Sequence, residues 1–123
     1  MSERKHFTIT DRMKAFGYAI SGLIYVFKTQ HAMWFHCLMA GVVIALGVNL
    51  HIAASDWRWL VLAITLVWSA EAMNTAVELV ADAFTREHHP LIGKAKDVAA
   101  GAVLVAVIGA AIIGILVFWP YFF

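Results

Sequence analysis

The chain has 123 residues, of which 63% are hydrophobic and only 14% are charged. Soluble domains average about 45–50% apolar and about 25% charged residues, so this composition, with a mean hydropathy of +0.80, indicates an integral membrane protein of one domain, residues 1–123. No long basic patch is present, which excludes the usual basis for nucleic-acid binding, and the single cysteine, Cys37, excludes an intramolecular disulfide.

The first helix is predicted over about residues 10–28, with Thr10 as its N-cap, after a polar segment 1–6 that is expected to fray. Charged residues interrupt its apolar residues too often for a membrane span. We therefore interpret it as an amphipathic helix that lies at the membrane surface, the alternative being a soluble helix packed on a core. The apolar residues at helical spacing are Met13, Phe16, Ile20, Leu23, Ile24 and Phe27.

Three membrane spans are predicted, over about residues 33–54, 57–84 and 95–119. The second is longer than the roughly 20 residues that a bilayer needs, so its end should project into the cytoplasm. Pro90 is expected to break any helix in a loop from Thr85 to Lys94. The third span carries a ridge of small residues that favours close helix packing in lipid: Ala102, Ala106, Ala110 and Gly114.

The distribution of basic residues predicts a cytoplasmic N-terminus. With that orientation eight basic residues are cytoplasmic and only Arg58 is outside, as the positive-inside rule requires. The eight are Arg4, Lys5, Arg12, Lys14, Lys28, Arg86, Lys94 and Lys96.

Five of the eight acidic residues lie between Glu71 and Asp97. Glu71, Asn74, Glu78 and Asp82 follow one another at spacings of 3, 4 and 4, so they stay within about 80° of one helix face. We refer to these four residues as the acidic stripe. Ionisable residues inside a span are costly and are usually functional. The structural alternative is a set of ion pairs between helices, such as Glu78 with Lys96.

The stripe offers hard oxygen ligands. Glu78, with Asn74 or Asp82 one turn away, could hold Mg²⁺, which prefers carboxylates, waters and substrate phosphates. Lys94 and Lys96 could neutralise those phosphates. Glu71 lies deepest, where an apolar alcohol could meet a carboxylate, so the pattern predicts phosphoryl transfer to a lipid hydroxyl.

The histidines do not indicate a metal site. His88 and His89 are adjacent and point apart on a helix, and His36 and His51 are interpreted as polar tips at the membrane interface. The chain also lacks a P-loop, so a nucleotide would have to be bound in another way.

Three segments together resemble the small prokaryotic diacylglycerol kinase family, closest to its undecaprenol kinase branch. They are EAMNTAVELVAD (71–82), EHHP (87–90) and KAKDVAAGAV (94–103), and FGYAISGL (16–23) matches the family's N-terminal surface helix. The resemblance implies an all-α homotrimer in the bacterial inner membrane, with three spans and one surface helix per subunit. It also implies MgATP as the donor, a lipid alcohol as the acceptor, and active sites between subunits on the cytoplasmic side.

Carried over by position, the resemblance implies a role for each matching residue. Glu71 would be the catalytic base and Asn74 would lie near the γ-phosphate. Glu78 would bind Mg²⁺. The residues implied to contact the nucleotide are Tyr18, Glu78, Lys96 and Asp97.

The segment after the surface helix departs from the family pattern. Gln30 replaces a Glu that helps to hold metal, and a neutral amide is a poorer Mg²⁺ ligand than a carboxylate. Ala32 and Trp34 replace an Asn and an Arg. Asp11 stands where a basic residue is expected, with Arg12 beside it.

The acceptor is left open by the residues themselves. Undecaprenol and diacylglycerol both carry a hydroxyl on an apolar body, and we expect undecaprenol from the branch resemblance, with diacylglycerol as the alternative. Two other classes of protein compete with the kinase: a small proton-coupled exporter with an intramembrane Glu, and a non-enzymatic assembly protein built on the small-residue ridge.

Overall fold

A computed structural model describes residues 7–123, and within that range the chain forms four α-helices: α1 (Ile9–Thr29), α2 (His31–Leu50), α3 (Ala54–Phe84) and α4 (Pro90–Phe122). Helices α2, α3 and α4 are each long and apolar enough to cross a membrane. The prediction of an all-α protein with three spans is therefore confirmed. The predicted frayed segment 1–6, with Arg4 and Lys5, lies outside the described residues.

Helix α1 begins earlier than expected. Its N-cap is Thr8, whose Oγ1 accepts a hydrogen bond from the backbone N–H of Asp11 at 3.1 Å, so the prediction of Thr10 as N-cap is wrong. Only the last turns of α1 pack against the rest of the chain, where Val26 is buried and the Phe27 ring meets Trp68 edge-on at 5.3 Å. The Trp34 indole also donates to the Phe27 carbonyl.

A close contact sets the turn between α2 and α3. His51 adopts a left-handed conformation (φ 51°), and the Ile52 N–H returns to the Gly47 carbonyl at 3.2 Å, which satisfies the end of α2. A Cβ on Gly47 would lie 2.8 Å from the Trp57 ring, so any larger residue there would force a neighbouring side chain to shift. Helix α2 ends at Leu50, four residues before the predicted limit, and α3 begins at Ala54, three residues earlier than predicted. The turn therefore covers residues 51–53.

The connection between α3 and α4 is shorter than predicted. Helix α4 starts at Pro90, so the connection is only Thr85 to His89 and the expected loop up to Lys94 is wrong. Proline is tolerated in the first turn of a helix, because the N–H that it lacks has no partner there in any case. The residues between Pro90 and Lys96 are therefore held on a helix.

Helices α3 and α4 form an antiparallel pair that is fixed at both ends. At one end Lys96 Nζ lies 2.6 Å from Asp82 Oδ1. At the other the Tyr121 hydroxyl donates to Asp56 Oδ2 at 2.6 Å and accepts from the Ala53 N–H at 3.0 Å. These contacts set the register in which α4 passes the acidic stripe.

The apolar core lies toward the Tyr121 end, and most large apolar side chains elsewhere are exposed. A cluster of Ile52, Leu60, Val117 and Phe118 is buried there. On the predicted small-residue ridge Ala106 is buried while Ala102 is exposed, so only part of that ridge packs within one protomer. The exposed apolar surface on three long helices is what contact with lipid or with further helices requires.

Candidate functional site

Glu71 is buried near the middle of α3, one of the three helices that are long and apolar enough to cross a membrane. Its residue is only 3% exposed, and Thr75, one turn later, donates its hydroxyl to the Glu71 carbonyl at 3.0 Å. Within residues 7–123 these are the two buried polar residues. A buried carboxylate is costly unless it is paired, so Glu71 needs a polar or charged side chain opposite it.

The side chain opposite Glu71 is His36, on α2. Its Nε2 lies 3.4 Å from Glu71 Oε2, within ion-pair distance, although the two groups are not aligned as a hydrogen bond. The interpretation of His36 as a polar tip at the interface is therefore wrong, whereas His51 is exposed at the opposite end of the bundle. The signal in the sequence is an ionisable ring near the start of a predicted span that contains no Asp, Glu, Lys or Arg.

Asn74 and Glu78 form the next part of the stripe. Asn74 Nδ2 donates to Glu78 Oε1 at 3.4 Å, and the buried Oδ1 of Asn74 has no hydrogen-bond partner within residues 7–123. Glu78 is half-buried and lies about 10 Å further along the helix axis than Glu71. The face therefore runs from a buried carboxylate to one that water can reach.

Asp82 ends the stripe and is paired with Lys96. The two side chains are partly exposed, and Lys96 pairs with Asp82 instead of Glu78. The expected partner was therefore wrong, although an ion pair between helices of the kind that the structural alternative named is present. Exposed ion pairs contribute little to stability, so a phosphate can compete for the Lys96 ammonium. Asp97 follows on α4 and is exposed.

Two of the candidate residues on the N-terminal side lie apart from the stripe. Tyr18 is 74% exposed and precedes Phe27 by nine residues, about 14 Å along α1, so it does not pack against α3 within its own protomer. Gln30 joins α1 to α2, and its Nε2 donates to Thr29 Oγ1 at 3.1 Å.

The residues of the stripe fit a magnesium ion that is shared with a substrate. Across the described range no three His, Cys, Asp or Glu side chains converge into a ready-made metal cluster. Magnesium, however, is commonly held by one or two carboxylates together with phosphate oxygens and water. Glu78 supplies one such carboxylate at the water-accessible end of the stripe.

An apolar cavity of about 310 Å³ lies between α2, α3 and α4. His36 is the one ionisable residue among the described residues that line it, and Glu71 is not in its wall. The other residues that line the cavity include Met39, Val67 and Gly114.

These features define a class of protein: a helical integral membrane protein with a carboxylate site that runs from the apolar interior to one end of the bundle. Residues 17–118 match the family model described as prokaryotic diacylglycerol kinase. The chain belongs to that family.

Individual relatives agree with this assignment. The chain is 37% identical over 107 residues to an undecaprenol kinase from Bacillus subtilis, with 87% of each chain covered. It is 31% identical over 110 residues to a diacylglycerol kinase from Escherichia coli K12, covering 89% of this chain and 90% of the relative. A diacylglycerol kinase from Synechocystis is 41% identical over 101 residues, and the match spans 58% of that longer relative. The prediction of a membrane lipid kinase is confirmed, and neither the exporter nor the assembly protein gains support.

Proposed function

We propose that this protein transfers the γ-phosphoryl group of ATP to the hydroxyl of undecaprenol, with Mg²⁺ bound beside the nucleotide. The observation that carries the proposal is the placement of Glu71: a carboxylate that is buried within an apolar helix, on the same helix face as Asn74 and Glu78. The similarity to the B. subtilis undecaprenol kinase across 87% of both chains favours that acceptor.

Glu71 would serve as the general base. The alcohol oxygen forms a bond to the γ-phosphorus while the bond from that phosphorus to the β–γ bridging oxygen breaks, and ADP leaves with the bond's electron pair. The proton of the hydroxyl passes to the Glu71 carboxylate. Phosphoryl transfer depends mainly on positioning and charge neutralisation, so one well-placed base is sufficient covalent help.

The other residues would hold the donor. Asn74 has a buried carbonyl oxygen without a partner and an amide that already reaches Glu78, which supports a positioning role near the γ-phosphate. Glu78 would hold Mg²⁺, which supplies charge neutralisation on the phosphates when bound. Lys96 would leave Asp82 to contact phosphate, with Asp97 beside it on α4.

The proposed assembly is a homotrimer in the bacterial inner membrane with the N-terminus and the site facing the cytoplasm. The end of the bundle that carries Glu78 also carries Arg86, Lys94 and Lys96, whereas Arg58 lies at the other end, which supports that orientation. Helix α1 would lie at the membrane surface, its exposed apolar side chains in contact with lipid. A site between subunits would also accommodate Tyr18 near the adenine, despite its separation from α3 of its own protomer.

Diacylglycerol is the second candidate acceptor. The relatives from E. coli and Synechocystis are diacylglycerol kinases, at 31% and 41% identity. The two acceptors differ in the apolar body rather than in the reacting hydroxyl, so the same site chemistry would serve either.

A phosphorylation assay with purified protein tests both the activity and the acceptor. Undecaprenol and diacylglycerol are offered separately in mixed micelles with ATP and Mg²⁺, and Glu71→Gln is run in parallel. We expect phosphorylated undecaprenol in preference to phosphatidic acid, and a loss of turnover by a factor of about 10² or more in Glu71→Gln, since a positioned base contributes about 10²–10⁴. Preference for diacylglycerol would reject the acceptor, and near-normal turnover in Glu71→Gln would reject the base.

A further inference from the structure

The proposed reaction leaves one buried ionisable side chain without a role, and that side chain touches the proposed base. His36 Nε2 lies 3.4 Å from Glu71 Oε2, with only 10% of the His36 side chain and 4% of the Glu71 side chain exposed. His36 comes from α2 and Glu71 from α3, so the contact joins two different spans. Nε2 has no hydrogen-bond partner among the described residues, so the Glu71 carboxylate is the polar group placed to become one.

We propose that His36 is a positioning residue: its ring N–H holds one oxygen of the Glu71 carboxylate, so that the other oxygen is aimed at the lipid hydroxyl. The inference rests on the proposed role of Glu71 as the base. It adds a residue from α2 to a site whose other members lie on α3, α4 and the α1 segment.

The energetic argument starts from burial. A buried N–H or carboxylate without a partner costs about 1–3 kcal/mol, more when the group is charged, so two such groups 3.4 Å apart stabilise each other by closing into a hydrogen bond. A ring N–H to carboxylate bond is charge-assisted and therefore among the stronger kinds. Catalytic hydrogen bonds are often long without substrate and shorten in the reacting complex, which fits the separation seen here.

The geometry of a carboxylate explains why a single histidine ring can orient Glu71. An ionised carboxylate has two oxygens, and the one that lies 3.4 Å from His36 Nε2 is Oε2. A glutamate side chain has three rotatable bonds, and a contact at Oε2 removes much of that freedom while Oε1 stays available to accept the hydroxyl proton. Misplacement of a reacting group by about 1 Å can lower the rate about 10²-fold, so holding the base in position should raise kcat measurably.

The cavity supports the same role. His36 lines the apolar volume between α2, α3 and α4, whereas Glu71 does not, and the His36 ring is the polar group of that lining that lies 3.4 Å from the carboxylate. With the ring in place the carboxylate meets a polar partner on this side rather than an apolar void. Its removal would leave the carboxylate free to turn toward the cavity.

The test uses full-length protein in mixed micelles and measures kcat and KM for ATP and for the lipid. His36→Leu keeps much of the volume but removes the N–H, and we expect kcat to fall by about 10–100-fold with little change in either KM. His36→Gln places an amide N–H near the position of Nε2 and should recover most of the loss, whereas the shorter His36→Asn should not. His51→Gln, at the exposed far end, and Val43→Ala, in the wall of the same cavity, are the matched controls and should retain kcat.

A double-variant comparison separates positioning from general structure. His36→Leu is also measured on the Glu71→Gln background, where radiolabelled ATP makes the residual rate measurable. If the ring acts through Glu71, His36→Leu should lower kcat only slightly on the Glu71→Gln background. Thermal unfolding in detergent shows that each variant is folded; if His36→Leu does not fold, the comparison of His36→Gln with His36→Asn carries the test.

Each possible result either supports or overturns the positioning role of His36. Normal kcat in His36→Leu, or an equal loss on both backgrounds, overturns the positioning role while leaving the proposed kinase activity intact. Equal activities of the Gln and Asn variants do the same. A wild-type protein that phosphorylates neither lipid overturns the proposed function, and the positioning role with it.

Discussion

Lys96 and Asp82 connect α4 to α3 through a contact of 2.6 Å between Nζ and Oδ1, one turn beyond Glu78 on the acidic stripe. The pair holds Lys96, which the proposed function assigns to phosphate, at the water-accessible end of the stripe. Because the pair is partly exposed, the ammonium can exchange a carboxylate for a phosphate without a large loss of stability. If Lys96 binds the nucleotide as proposed, this contact is the one that it would leave.

This relationship predicts opposite consequences for the two partners. Lys96→Met should raise the KM for ATP by about tenfold or more, since a hydrogen bond to a charged group is worth about 1.5–3 kcal/mol. Asp82→Asn should leave the KM for ATP unchanged or lower it, because it removes the competitor for the ammonium. ATP titrations of both variants check the prediction. A larger loss of ATP affinity in Asp82→Asn than in Lys96→Met would show that Asp82, rather than Lys96, serves the nucleotide.

A second prediction concerns stability alone. Gly47→Ala places a Cβ 2.8 Å from the Trp57 ring, so we expect destabilisation of about 1–3 kcal/mol from overpacking. Gly41, on the same helix, has open space around its Cβ position, and Gly41→Ala should be neutral or slightly stabilising because alanine favours helix by up to about 1 kcal/mol. Thermal unfolding in one detergent compares them. Equal midpoints for the two variants would contradict the close approach at this turn.

Much of this fold follows from the sequence because lipid imposes a simple rule. Apolar stretches long enough to span must form helices, so three spans and the position of the acidic stripe on α3 were predictable. The connections between helices were harder to predict. Proline is compatible both with a loop and with the first turn of a helix, and only the geometry shows that Pro90 begins α4. Likewise a cap at Thr8 rather than Thr10 depends on one hydrogen bond.

The partners of the site residues could not be predicted in the same way. Periodicity places Glu71 and Glu78 on one face of a helix, but it does not say which residue of another helix lies opposite. That depends on how the spans pack, and the packing brings His36 to Glu71 and Asp82 to Lys96. The roles of all the site residues stay predictions, and Tyr18, Gln30 and Asp97 also lie away from the stripe or make no contact with it.

The proposed metal role of Glu78 predicts a change in the Mg²⁺ requirement. Glu78→Gln keeps the size of the side chain and its acceptor for the Asn74 amide but removes the negative charge, so half-maximal activity should need more Mg²⁺, or activity should be lost. Glu87→Gln makes the same change on an exposed residue of the α3–α4 connection and should leave the titration unaltered. The metal role is refuted if Glu78→Gln gives the wild-type Mg²⁺ titration.

The position of Gln30 predicts a gain of metal affinity. Gln30 stands where related kinases are expected to carry a metal-binding Glu, and its amide here only pairs with Thr29. Gln30→Glu adds a carboxylate with no change in side-chain length, and the half-maximal Mg²⁺ concentration should fall several-fold, because Mg²⁺ binds carboxylates better than neutral amides. Gln30→Ala is the control and should not lower it. A Gln30→Glu protein with an unchanged or higher Mg²⁺ requirement would mean that residue 30 does not reach the metal bound at Glu78, and that the substitution at this position reflects the connection between α1 and α2 rather than the chemistry of the site.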